Sequence, residues 1–340
     1  MKHIKKVIAL CSENHVLYRA YHEYSTLFYT KTFLTHLDNV LNEIERVNKK
    51  AYEDFTTNKL KAADGKSFNF HALISSLCEL CLINSFIAQS NNPASFSYEP
   101  KLRKDNSKNV EFSILINSVK YNVEVKCPNL SNYYEKLNEK LDKHHAVTRF
   151  DTRAFGKPSE KHEIGSPSMR VRDFMVDTNQ KFPKSNIPNE INVLFIAWDD
   201  NNEQPCIELK HPMHGLLTPN SDFKDENGNV ITFPNIDLIF VSDLYQNIIA
   251  HLSSGDEPLL NLISGVPYFE RNARFPKHEI NPFVLSFSRN LLIKPYIDIK
   301  NSHIENIIFN IPIAFSDQSV DVVDEKFVSK YATDIKISYK

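Results

Sequence analysis

Two glutamates and a lysine lie close together in the segment 111–126, and their spacing can do chemistry. Two alternating runs, 111–116 and 119–126, flank Asn117-Ser118, which reads as a two-residue hairpin loop. In that register cross-strand partners carry numbers that sum to 235, so Glu111 stands opposite Glu124. Lys126 follows two residues past Glu124, on the same face of the ribbon. Directly opposed carboxylates repel, and a divalent cation offsets that repulsion. Mg²⁺, or Mn²⁺ in its place, takes one or two carboxylates and keeps several waters. A lysine beside such a pair can orient or deprotonate a water, or hold the charge of a developing phosphorane. These are the parts for metal-assisted phosphodiester hydrolysis.

The elements that must position these groups can be read from the pattern around them. One face of the ribbon carries Phe112, Ile114, Ile116, Val119, Tyr121, Val123 and Val125. The other carries Glu111, Ser113, Leu115, Lys120, Asn122, Glu124 and Lys126. Charged alternation of this kind is common on the wet face of an antiparallel hairpin, so the surroundings decide its meaning. A helix over 71–89, ended by Asn91-Asn92-Pro93, places Glu79 among Leu77, Cys78, Leu80, Cys81 and Leu82. An unpaired ionised acid is costly there, and convergence on a shared cation would give it a partner. Residues 13–62 lack glycine and proline and form an N-terminal helical region. A strand is expected over 95–102, helices over 132–145 and 170–181, and a loop over 150–167. Buried strands follow over 193–198 and 236–241, with weaker strand signals near 292–298 and 307–315. Helices alternating with buried strands predict an α/β fold with a central sheet.

The ordered set resembles the PD-(D/E)xK nucleases, the restriction-endonuclease-like superfamily. The residues that carry the resemblance are Leu77-Cys78-Glu79-Leu80 on a helix, Tyr98-Glu99-Pro100-Lys101-Leu102, Val110-Glu111-Phe112, and Val123-Glu124-Val125-Lys126-Cys127-Pro128. The resemblance implies a mixed sheet flanked by helices and Mg²⁺-dependent cleavage of nucleic acid. It implies Glu111 as the first acid of the motif, Glu124 and Lys126 as its second acid and lysine, and Glu79 as its helix acid. The carbonyl of Val125 would be a further metal ligand. Many of these nucleases carry a glutamine or a basic residue near the site on a following helix, and Gln180 is similar in position. The first acid is glutamate preceded by Val110, where aspartate preceded by proline is commoner. That departure favours the alternative reading, a module of the same fold that binds or scaffolds without catalysis. The implied organisation is an N-terminal helical region (1–65), a nuclease-like domain (66–295) and a C-terminal extension packed on the core (296–340).

Composition and charge narrow the partners. The 340 residues have a formal net charge of −2, which hides a basic middle. Residues 98–190 hold 17 Lys and Arg against 13 Asp and Glu, while 191–340 hold 12 against 20. A polyanion would choose the middle; the resemblance implies a nucleic acid, with DNA expected ahead of RNA. The acidic last third is expected to complete the sheet, bind a partner protein or make a homodimer contact. Only 7 glycines occur, none in a phosphate-cradling loop pattern. The 5 cysteines show no disulfide rhythm. Cys78-x-x-Cys81 lies inside an apolar helix and reads as two core thiols. His144-His145 and His211-x-x-His214 read as surface histidines. The apolar run behind the N-terminal lysines is too short for a secretion signal, and the segment 72–88 is short for a membrane span. A cytoplasmic protein without a membrane partner is the expectation.

Overall fold

The computed structural model describes residues 1–23, 28–64, 67–116, 118–129, 167–183, 189–198, 221, 223–242, 244–254 and 268–271, with 205, 208–209 and 215–217. The expected helix 132–145, the loop before Pro167, the strand signals near 292–298 and 307–315, the extension 296–340 and both histidine pairs lie outside them.

The chain divides into two compact units. Unit 1 comprises Met1–Pro128, Phe174–Cys206 and Phe233–Tyr296; unit 2 comprises Asn129–Asp173, Ile207–Thr232 and Ile297–Lys340. In unit 1 the N-terminal region is α1 (Lys2–Ile8), α2 (Val16–His22), α3 (Phe28–Val47) and α4 (Lys49–Asp54), the last running into a π-helical turn, Phe55–Lys59. A two-stranded ribbon, β1 (Ala63–Asp64) and β2 (Ser67–Phe68), leads into α5 (Phe70–Gln89). Asn69 caps α5 by accepting the Ala72 N–H at 3.0 Å. Then come β3 (Ser97–Tyr98), β4 (Phe112–Ile116), β5 (Val119–Lys126), α6 (Pro167–Lys181, which belongs to unit 1 from Phe174 on), β6 (Glu190–Ala197), β7 (Leu238–Ser242), α7 (Leu244–Ser254) and β8 (Tyr268–Arg271). Strands β3 to β8 form one mixed sheet in sequence order. The pairs β5–β6 and β6–β7 are parallel and the others antiparallel. The fold is α/β, with helices flanking a mixed sheet.

The hairpin has the expected register, Ile116 against Val119 through Phe112 against Val123. Ser118 adopts a φ of +65°, the left-handed conformation that a tight two-residue turn needs. The apolar face of this ribbon packs into one continuous core with α1 to α5 and α7. By length and composition α5 could cross a membrane, but most of it is buried in that core.

Three features depart from the expected pattern. The strand expected over 95–102 is confined to Ser97–Tyr98, because Glu99 turns to a φ of +47° and Pro100 follows. The helical region expected over 13–62 is broken into separate helices, and α1 precedes it. The polar face of the hairpin is not wet: Ser113, Asn122 and Glu124 are buried. The cause is a second cover on the sheet, since Lys181 of α6 reaches Glu124 and Asn179 of α6 accepts the Asn235 N–H at 3.0 Å. The buried polar groups satisfy one another in a ladder across the sheet. Ser113 donates to Asn122 at 2.6 Å, and Asn122 donates to Glu190 at 2.6 Å and to Asn192 at 2.8 Å. Asn192 in turn donates to the Asn235 carbonyl at 2.8 Å.

In unit 2 the described residues include a turn in which Asp225 accepts the N–H groups of Asn227 and Asn229. Gly228, at a φ of +84°, takes its left-handed position.

Candidate active site

The site lies where β4 begins and β5 runs on past it. The β4–β5 ladder stops at Phe112 against Val123, so Glu111 sits just outside it and Glu124 just beyond the last pair. The Glu111 backbone is held from the other side, its carbonyl accepting the Glu99 N–H at 2.9 Å. From the adjacent helix α5, Glu79 points at the same place.

Glu79 and Glu111 meet at the ammonium of Lys59. Lys59 Nζ donates to Glu79 Oε2 in a short ion pair and to Glu111 Oε2 at 3.3 Å. This lysine closes the π turn after α4, where Leu60 N–H bonds back to the Phe55 carbonyl at 3.0 Å. π turns concentrate at functional positions because they re-aim a side chain. Ser76, one turn before Glu79 on α5, donates to the Lys59 carbonyl at 3.1 Å, so α5 grips this residue by backbone and side chain together. The ammonium also lies 5.3 Å from the ring centres of Phe55 and Tyr98. Tyr98 is fixed by donating to Asp54 at 2.6 Å.

Glu124 is fully buried and shares Oε1 between two lysines, Lys126 at 2.8 Å and Lys181 in a short pair. Its Oε2 is buried and has no hydrogen-bond partner, an expensive state for a carboxylate oxygen. Lys126 also reaches Asp177 Oδ2 of α6 at 2.7 Å, where Lys181 approaches to 3.7 Å, and Lys108 pairs with Oδ1.

The electrostatics show that the acids sense one another. Burial pushes Glu79 up to about 8; Glu111 adds repulsion, Lys59 pulls the other way, and Glu124 contributes further repulsion. Burial also raises Glu124, opposed by Lys126 and reinforced by Glu111. Lys59 and Lys126 are held above the ordinary lysine range: burial opposes their charge, but Glu79 and Glu111 outweigh it at Lys59, and Glu124 and Asp177 at Lys126. Asp177 falls to about 2, burial being overcome by Lys108, Lys126 and Lys181.

Of the expected site residues, Glu79 and Glu111 meet at Lys59, while Glu124 and Lys126 pair with each other beside Lys181 and Asp177. Val125 stands in the β5–β6 ladder opposite Phe195, with its side chain in the core. Gln180 is exposed, its carbonyl accepting from Asn106 at 2.8 Å, and it is the next residue, Lys181, that touches Glu124. Helical rotation of about 100° per residue separates the two. Lys59, Asp177 and Lys108 join the cluster without a sequence signal pointing to them. The Cys78 and Cys81 thiols are buried and free.

The donor chemistry suits a hard divalent cation. It offers carboxylates from β5, from the residue before β4 and from α5 in mutual repulsion, and one buried oxygen without a partner. In this arrangement the acids are instead neutralised by lysines, and among the described residues no group of three or more His, Cys, Asp or Glu side chains is placed to hold a metal ion. Comparison with protein-family models, with curated proteins and with solved structures finds no match to this chain.

Proposed function

We propose that the chain is a restriction-endonuclease-like, metal-dependent nuclease that hydrolyses phosphodiester bonds of DNA. The observations that support this reading most are the Glu79 and Glu111 carboxylates held on one lysine, and the buried Glu124 paired with Lys126 and left with an unsatisfied Oε2. Glu111 and Glu124, with Glu79 and the Val125 carbonyl, are the groups that would hold Mg²⁺ or Mn²⁺. When bound, the cation supplies Lewis-acid polarisation of the phosphate and a more acidic water.

The chain's own residues do the rest. Lys126, already hydrogen-bonded to Glu124, positions the attacking water and offsets charge that builds on phosphorus. Lys59 orients Glu79 and Glu111 and keeps them from repelling each other apart before the cation arrives. Such an enzyme would suit a restriction or defence role in the cytoplasm, acting as a homodimer.

One observation favours a second reading, a binding or scaffold module without catalysis: each acid is already paired with a lysine. Incubation with duplex and single-stranded DNA and with RNA, in Mg²⁺ or in EDTA, separates the two. The nuclease reading expects Mg²⁺-dependent cleavage that falls about 10²- to 10⁴-fold in Lys126→Ala, far more than the several-fold loss of DNA binding. Cleavage that survives Lys126→Ala refutes the assignment of that lysine.

A further inference from the structure

The hydrolytic scheme leaves Asp177 without a role, yet three ammonium groups from three segments converge on it. Oδ2 takes Lys126 of β5 at 2.7 Å and Lys181 of α6 at 3.7 Å, and Oδ1 takes Lys108 from the loop before β4. Lys126 and Lys181 are largely buried, whereas Asp177 keeps 25% of its side chain exposed and Lys108 53%. The cluster therefore opens to solvent on the Asp177 side. Neighbouring ammonium groups repel and lose hydration when buried, so they persist only with an anion among them. Glu124 supplies part of that charge from below, on the Lys126 and Lys181 side. Three lysines against Glu124 alone would leave two positive charges, and Asp177 covers one of them.

We propose that Asp177 is a resident stand-in for substrate phosphate, and that Lys108, Lys126 and Lys181 form a cradle which a phosphate group enters by displacing the Asp177 carboxylate. The proposal rests on the nuclease reading for the identity of the strand that brings the phosphate. Lysines bind phosphate as point charges and do not need the planar two-toothed geometry of arginine, so a carboxylate and a phosphate can exchange on the same three donors. Asp177 belongs to the same helix as Lys181, one turn before it. A change of its side-chain rotamer releases the cradle without moving backbone.

The test uses the full chain in EDTA at fixed ionic strength, with inorganic phosphate and a short fluorescein-labelled DNA duplex as probes. Thermal shift reads the first and fluorescence anisotropy the second. Asp177→Asn is expected to melt lower than wild type in chloride, to gain more from added phosphate, and to bind the duplex about tenfold more tightly. Lys108→Gln, a change on the exposed rim that keeps the test open should Asp177→Asn fold poorly, is expected to weaken binding of the responding probe several-fold. Asp173→Asn, an exposed aspartate of the same helix paired with Arg172, controls for net charge and is expected to bind as wild type. A gain with both probes assigns the cradle to a nucleic-acid phosphate, and a gain with inorganic phosphate alone assigns it to a free phosphate ligand. The cradle is overturned if Asp177→Asn binds neither probe more tightly than wild type, or if Lys108→Gln binds both unchanged. Cleavage in Mg²⁺ is scored separately. Cleavage with unaltered binding removes the cradle and leaves the nuclease, whereas tighter binding with no cleavage by any variant removes the nuclease and leaves the cradle.

Discussion

At the scale of single residues the cluster is an exercise in burying carboxylates. Glu79 carries the clearest consequence. Its folded value is raised from the ordinary range to about 8 by burial and by Glu111, with Lys59 opposing. A carboxyl raised on folding stabilises the native state fully below its unfolded value. That contribution is lost as pH rises toward the folded value. The stability difference between wild type and Glu79→Gln should therefore fall as pH rises above the ordinary carboxyl range, and level off once Glu79 is ionised and paired with Lys59. Urea unfolding of both proteins across that range checks the slope, and a difference independent of pH would show that Glu79 is ionised throughout. The chemistry-bearing residues of this cluster were legible only in part. Glu79, Glu111, Glu124 and Lys126 declare themselves through an acid inside an apolar helix and through period-two alternation. Lys59 and Asp177 do not, since lysine and aspartate in amphipathic helical segments are what any solvated face presents.

At the scale of elements, the hairpin could be read from sequence because its turn and its alternation agree on one register. Whether its polar face meets water could not. That depends on where α6 docks, and docking across the sheet is set by packing between segments far apart in the chain. The π turn after α4 was equally hidden, because a single extra residue in a helical turn leaves no periodic trace. Its importance can be measured. Lys59→Met leaves two largely buried carboxylates without their shared cation and should cost about 3 kcal/mol. Glu79→Gln in that background should recover part of the loss, as a double-mutant cycle in denaturant would read. Independent, additive effects would mean that the contact between Lys59 and Glu79 carries no coupling.

At the scale of the whole molecule, the basic stretch of sequence holds most of the site, with Lys59 and Glu79 outside it. The basic middle, residues 98–190, contains Glu111, Glu124, Lys126, Asp177 and Lys181. If that stretch holds a phosphate backbone, the affinity for duplex DNA should fall steeply with salt, with a log–log slope of about −0.9 for each phosphate neutralised. Anisotropy titrations in EDTA over a range of NaCl concentrations give the slope directly, and a slope near zero would remove the polyanion from the account. The central claim is that Glu111 just before β4, Glu124 of β5 and Glu79 of α5 form one cation site. Titration with Mn²⁺, followed by electron paramagnetic resonance of the free ion, tests it most directly. The account predicts saturable binding of Mn²⁺ that is lost in Glu124→Gln and in Glu111→Gln while both variants stay folded. Mn²⁺ that remains free in the presence of the wild-type protein, or that binds both variants as well as wild type, would contradict it.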